Sequence, residues 1–588
     1  MSLPFYLSAQ TAGPSPQESN TAAQAATSSQ PGRSEPQDPQ AVHESATVMR
    51  ATTRMVVVDV VATDKRGFPI TDLKAGDFTI REDGHQQELR SFSFQRPAET
   101  SVATLPAPPA PRLPENIFTN VPRYKTDRPL NIILLDALNS TLINQINVHD
   151  ETLKVLQKLP ADRPTAVYAL GDKLQVLQDF TSDPAVLRAA VINYSDHASQ
   201  RLKNPVGDPI SQAFMLTTLP SLPALQAYLR FTQNTVSMGA DVRVALTLDA
   251  LQAIARSLAA YPGRKNLIWI SAAFPLSLNI DGKTKLKGEA AGRDYSRLVE
   301  RMADSLMSAQ VALYPVDARG MSELSFLAAS GATRNPYGGN YADGSGVGLE
   351  PVASDLSDEL LAAHETMTIL AERTGGKAYY NTNDLEKAIR AGMDDGAIYY
   401  TLGYYPSNKE WNGKFRRIQI KVEPPEANLR YRIGYFALDP EDYAHEDSRR
   451  RAHDLIQALS LETPPSTALL FQARVLPPSE KTRNKVLVDF AIDPHGLSFR
   501  HDDDGQEHAA VKCAVEVYSK KGEPLRTEAS DITAALKPEA YQQVLRTNLP
   551  CRAAFELKQG SYFLRLAVRD ERTGLIGSQN AELTVGAK

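Results

Sequence analysis

The stretch Asn131-Ile-Ile-Leu-Leu-Asp136-Ala-Leu-Asn139-Ser140 decides the fold of this chain. Its apolar residues run without alternation, which predicts a strand buried on both faces, as in a parallel sheet. The run ends on an acid followed by small polar residues. In open α/β sheets the rim at the carboxyl ends of the strands is where ligands bind, so Asp136 is the first candidate functional residue.

Strand and helix patterns alternate outward from this stretch. Strands are expected at 130–136, 165–170, 174–180, 265–271, 311–317 and 377–381. Between them, Leu248, Leu251, Ile254, Ala255 and Leu258 mark one helical face. Asp183-Pro184 opens another helix with an acidic N-cap and Pro at its first position, and Thr374-Gly375-Gly376 closes one ahead of the last strand. Residues 128–396 therefore read as a doubly wound, mostly parallel, Rossmann-like α/β domain. Two long stretches interrupt the rhythm, at about 195–242 and 319–353, the second containing the Gly-rich run Tyr337 to Gly348. Loops of such length usually carry function or are disordered.

The flanks are β in character. Met55 to Ala62, Phe78 to Gly84 and Leu89 to Phe94 predict strands over 49–97. Ile398 to Tyr405, Phe415 to Val422 and Arg430 to Phe436 predict more over 397–438, with Asn412-Gly413 as a turn. Strands 54–96 alone make a poor core, so the two sets are expected to form one β-sandwich into which the α/β domain is inserted. Residues 98–127 are Pro-rich and read as a linker, 439–463 as a linker helix, and 464–588 as a second β-sandwich. The expected class is thus α/β plus all-β.

The chain has 588 residues, 42% of them hydrophobic and 23% charged, with a net charge of −5. This gives no electrostatic case for nucleic acid, and no apolar run has the length of a transmembrane helix. Residues 1–48 read as a disordered tether rich in Ser, Gln, Ala, Pro and Thr. Its start, Met1 to Ala12, resembles the tail of a signal peptide without its basic region, so export to the periplasm or beyond is expected. Cys513 and Cys551 either form one disulfide, if the protein is exported, or remain buried thiols.

Several segments together resemble the von Willebrand factor type A domain of a group of exported bacterial proteins. They are the strand ending at Asp136, the helix at 247–260 and Gly263 to Pro275. Val311 to Gly320, Ala371 to Gly376 with Asn381 to Asp384, and Tyr400 to Pro406 belong to the same set. The segment from Asp64 to Gly84 fits that group's N-terminal β region, so the resemblance covers most of 54–437. It implies a divalent-cation site built from an Asp-x-Ser-x-Ser loop, a Thr and a second Asp. Asp136 matches the first acid, Ser140 the last hydroxyl and Thr247 the Thr. Leu138 stands where the middle Ser belongs, and Ser271-Ala272 where the second Asp belongs. Three oxygens fall short of what Mg²⁺ or Ca²⁺ needs, so water or a partner carboxylate would have to complete a weak site. The alternative is that Asp136 caps the next helix or bonds loop amides, with no metal.

Other motifs carry less chemistry. The ten His show no metal-ligand spacing. His501-Asp-Asp-Asp-Gly505 has adjacent rather than alternating acids and reads as a solvated turn. No Gly-x-Ser-x-Gly elbow occurs. Asp317-Ala-Arg319 ends a strand and either lines the rim or forms an internal ion pair. The expected function is a non-enzymatic, adhesion-type module that binds another protein, with a degenerate metal site. The alternatives are an envelope scaffold without metal, or a metal-assisted hydrolase, which lacks a candidate base.

Overall fold

The computed structural model describes residues 55–96, 113–122, 129–140, 142–160, 163–194, 241–272, 296–319, 350–423, 426–482, 485–502 and 504–586. The tether at 1–48 and nearly all of 195–242 and 319–353 lie outside them. In chain order come β1 (Val56–Thr63), β2 (Phe78–Glu82), β3 (His85–Gln87), β4 (Leu89–Gln95) and a short β5 (Ile117–Thr119). The α/β unit follows with β6 (Leu130–Asp136), α1 (Leu142–Gln157), β7 (Thr165–Leu170), β8 (Leu174–Thr181) and α2 (Pro184–Asn193). It continues with helix α3 across 241–258, then β9 (Lys265–Ser271), α4 (Ser296–Ser308), β10 (Val311–Asp317), α5 (Glu350–Thr374) and α6 (Leu385–Asp394). Next are β11 (Tyr399–Tyr404), β12 (Phe415–Val422), β13 (Asn428–Arg430), β14 (Gly434–Phe436) and α7 (Ser448–Leu459). The chain ends with β15 (Phe471–Leu476), β16 (Val486–Ile492), β17 (Arg500–His501), β18 (Glu507–Tyr518), β19 (Pro524–Leu536), α8 (Pro538–Arg546), β20 (Leu549–Phe555), β21 (Gly560–Asp570) and β22 (Ile576–Val585). The fold is mixed α/β with several separate β-sheets.

The central sheet has the order β10-β9-β6-β7-β8. Its first four strands are parallel and β8 runs antiparallel on the edge. Because β6 is apolar from Ile132 to Leu135, both of its faces are covered. Ile132 and Leu134 pack with Leu248, Leu251 and Ile254 of α3 and Met367 of α5. Ile133 and Leu135 pack on the other side with Val155 of α1, Leu187 of α2 and Ile389 of α6. Burying such side chains contributes roughly 1.5–3 kcal/mol each. The strand expected at 377–381 reduces to a single bridge between Val316 and Tyr379. It is reached through Gly375, at φ +77°, and Gly376, where a Cβ would lie 2.0 Å from the Leu313 carbonyl oxygen. Only glycine turns the chain and lets it pass that close.

The strands on either side of this unit pair with one another. β1 lies antiparallel to β11, with Val58 opposite Leu402, and β2 lies antiparallel to β12, with Ile80 opposite Ile420. The two resulting sheets, β13-β1-β11-β4 and β14-β12-β2-β3, enclose a core of Val58, Val60, Ile80, Tyr400, Leu402 and Ile418. Tyr400 stacks on its cross-strand neighbour Phe94, centroids 4.9 Å apart.

The C-terminal strands form two further sheets, β20-β16-β15-β5 and β17-β18-β21-β22, with β19 on the outside of β18. Cys513 on β18 and Cys551 on β20 form a disulfide that ties the two sheets together. The 98–127 segment is not only a linker: its Ile117–Thr119 is the edge strand beside β15. Asn120 holds it there. Its Nδ2 donates to the carbonyls of Ser466 and Leu469, 2.9 and 2.8 Å away, and its Oδ1 accepts from the Phe471 N–H at 2.9 Å. These partners lie about 350 residues away in sequence, so no local pattern announces the strand.

The first sandwich meets the α/β unit at the floor of the central sheet, where the strands begin. Tyr399 Oη accepts from the Arg264 N–H at 3.0 Å. Arg264 Nη2 donates to Tyr314 Oη and the Gly375 carbonyl. Gln310 donates to Asp59, which also accepts from Thr401. Both chain junctions of the α/β unit, near 129 and 396, are at this floor.

Candidate functional site

The opposite end of the sheet is the rim. Register places Leu135 beside Ile270 and Ser271 beside Asp317. Asp136, Ser271 and Asp317 therefore end three neighbouring strands in one row. Successive positions alternate faces, and all three face the side covered by α3 and α5.

Asp136 is buried, 3% exposed, and four donors converge on it. The Asn139 N–H donates to Oδ1 at 3.0 Å, and Asn139 Nδ2 lies 3.0 Å from Oδ2 and 3.3 Å from Oδ1. Trp269 Nε1 donates to Oδ2 at 3.0 Å, and the Ser271 hydroxyl also donates. Burial pushes the Asp136 carboxyl above its ordinary value, against the opposing pull of these hydrogen bonds from Asn139, Ser271 and Trp269. None of these donors carries a formal charge.

The same Asn139 amide donates to Thr247 Oγ1 at 3.0 Å. Its orientation is fixed by its neighbours, because the flipped amide would place Oδ1 against the Asp136 carboxylate. Asp136 and Thr247 are thus brought together through Asn139. Ser140 is turned elsewhere: its Oγ accepts from the Ala272 N–H at 3.0 Å. Gln145 Nε2 donates to the Ala137 and Ser140 carbonyls at 3.1 and 2.8 Å and fixes the loop to α1. Leu138 is a member of the apolar cluster with Leu134 and Tyr168.

A cation needs lone pairs, and a carboxylate has about four lone-pair sites. Four donors take those of Asp136, Ser140 Oγ is turned to the Ala272 N–H, and Leu138 has no oxygen to offer. Between Asp136 and Thr247 lies an NH₂ group pointing hydrogens at both. In this arrangement the residues fit a hydrogen-bonded cluster and not a coordination sphere.

Asp317, at the far end of the row, is held differently. Arg319 donates to it from its backbone N–H, from Nε at 2.9 Å and from Nη2 at 2.8 Å. His364 Nε2 on α5 lies 2.8 Å from Oδ2, and its ring stacks on Tyr380 with centroids 4.4 Å apart. Burial would raise the Asp317 carboxyl, but hydrogen bonds from His364 and Arg319 and the guanidinium charge outweigh it and hold it below its ordinary value. The internal-pair reading of Asp317 and Arg319 is the one seen here.

Sequence reasoning singled out Asp136, Ser140 and Thr247 and passed over Asn139, Trp269, Ser271 and His364. Asn139 stood inside the decisive stretch, and asking which nearby side chain could donate to a buried acid would have found it. His364 lies 47 residues from Asp317 and gave no local signal.

No protein-family model matches the chain, and no curated protein matches it. Among solved structures it is similar to proximal thread matrix protein 1 of the mussel byssus, at 9% identity and a TM-score of 0.22, over 45% of this chain and 47% of that one. It is also similar to the PilB minor pilin of Streptococcus sanguinis, at 8% identity and a TM-score of 0.21, over 46% of this chain and 60% of that one. The chain thus spans about half of the mussel protein and 60% of the pilin. At such scores neither likeness carries an argument about fold or function.

Proposed function

We propose that this chain is a non-enzymatic protein-binding module of the von Willebrand factor type A kind, exported from the cytoplasm, that recognises another protein at its rim. The observation that carries the reading is the polarity of the α/β unit. Its floor is joined to the first sandwich, while the described residues that flank 195–240, 273–295 and 320–349 lie at the rim. Segments of that length are usually functional, and binding residues concentrate on segments held by a rigid scaffold. The strand order, with an Asp ending the central strand, supports the type A resemblance. The Cys513–Cys551 disulfide supports export. Asp136, Ser140, Thr247, Asp317 and His364 at the rim are each hydrogen-bonded within the chain.

The test is capture by the immobilised full chain from the extracellular proteins of the organism that makes it. Two variants are compared with wild type: one with 321–348 replaced by a short Gly-Ser linker, the other Tyr380→Ala, whose ring is 38% exposed beside the rim. The reading predicts a specific partner lost in the first variant and weakened in the second. Capture unchanged in both contradicts rim binding.

A second reading is an envelope scaffold in which the α/β unit is a spacer. The internal pairing of Asp136 favours it. It predicts that no partner depends on the rim.

A further inference from the structure

We infer that the side-chain amide of Asn139 does in this rim what a divalent cation would do, joining the acid of the central strand to the hydroxyl of α3, so that the rim is assembled permanently and without metal. The inference goes beyond protein binding and stands apart from it, since a metal-free rim could bind a partner or none.

The geometry carries it. Asn139 is 2% exposed, and its Nδ2 lies within 3.0 Å of both Asp136 Oδ2 and Thr247 Oγ1. Those two groups sit on different elements, 111 residues apart (247 − 136), and the amide is the atom group they share. Asp136 and Thr247 each accept from it, while its own Oδ1 is buried with no hydrogen-bond partner among the described residues. An NH₂ group has two hydrogens and supplies one to each side. The rest of the loop is built to the same end. Leu138 is fully buried in the core, so the residue before Asn139 anchors the loop by packing. The Ala137 and Leu138 N–H groups both donate to the Leu170 carbonyl at 2.8 Å. Ser140 Oγ accepts from the Ala272 N–H. The amide is neutral, so it does not offset the Asp136 charge as a cation would.

The consequence is a switch of requirement by one atom. Asn139→Asp replaces the NH₂ donor by an oxygen and sets two carboxylates against Thr247. That cluster requires a proton or a cation to hold it, and its three converging oxygens, with water completing the shell, are the hard donors that Mg²⁺ and Mn²⁺ take.

The experiment is thermal unfolding of the full chain, wild type and Asn139→Asp, in a chelator and in millimolar Mg²⁺ or Mn²⁺. Wild type is expected to melt at the same temperature in all three. Asn139→Asp is expected to melt several degrees lower in chelator and to recover in Mn²⁺, since a ligand that binds only the folded state stabilises it. A wild-type melting temperature that rises with either cation, and no longer does in Asp136→Asn, overturns the inference. So does an Asn139→Asp protein as stable in chelator as wild type. Should Asn139→Asp fail to fold in every buffer, the wild-type and Asp136→Asn arms decide. Partner capture is scored separately, so a metal-binding wild type that still captures its partner overturns this inference and leaves the proposed function standing.

Discussion

The two ends of the rim row make an instructive contrast. Asp136 and Asp317 each close a parallel strand, one strand apart, on the same face of one sheet. Asp136 is met by neutral donors only, from Asn139, Trp269 and Ser271. Asp317 is met by a guanidinium and an imidazole, from Arg319 and His364. Burial dominates at the first, and charge and hydrogen bonding at the second. Position in the fold delivers a carboxylate to the rim, and its chemistry is then set by which donors the neighbouring elements bring.

The largest expected effect is at Asp136. Asp136→Ala strands the Asn139 amide, the Asn139 N–H and the Trp269 indole N–H in a closed site, and should cost about 4 kcal/mol, at about 1–3 kcal/mol for each unsatisfied buried group with partial relaxation. Asp317→Ala should cost about half as much, about 2 kcal/mol, because Arg319 is partly exposed and can turn to water. Urea unfolding of both variants checks the order, and equal losses would erase the contrast.

The pH dependence should carry opposite signs at the two sites. The folded-state carboxyl of Asp136 is raised, so the folded state holds its proton longer than the unfolded state. Its ionisation therefore removes stability as pH rises from near 3.8 through the folded value. The Asp317 carboxyl is lowered, so its stabilisation is present above the ordinary value near 3.8 and is lost as pH falls through the folded value. Unfolding free energies of wild type, Asp136→Asn and Asp317→Asn across the acid range separate the two. Asp136→Asn should remove a fall with rising pH, and Asp317→Asn should remove a loss on acidification. The same sign in both variants would break the comparison.

A smaller effect is expected at β5, a strand that no local pattern announces. Asn120→Ala removes three hydrogen bonds that hold β5 on β15, and should cost about 2 kcal/mol. Hydrogen exchange should show the loss confined to the C-terminal sandwich.

Much of the fold was legible because burial on both faces writes an unbroken apolar run. Ile132 to Leu135, Leu267 to Ile270 and Val311 to Val316 announce three neighbouring strands, and the helical spacing from Leu248 to Leu258 announces α3. The strand at Ile117–Thr119 was hidden because three residues on an edge have no periodicity, and what fixes them is Asn120 reaching distant carbonyls. The disulfide could not be chosen over two thiols, since β18 and β20 are brought together only by the packing of two sheets. At the rim, the end of β6 was readable and the partner was not. Asp136 was weighed against the hydroxyls a cation needs, while Asn139, three residues on, supplies hydrogens instead.

The most direct test of the metal-free rim is anomalous diffraction from crystals of the full chain soaked in Mn²⁺. The Asn139 amide is expected between Asp136 and Thr247, with no anomalous peak there. A peak at a coordination distance of about 2.0–2.6 Å from an Asp136 carboxylate oxygen, with Asn139 turned away, would contradict it.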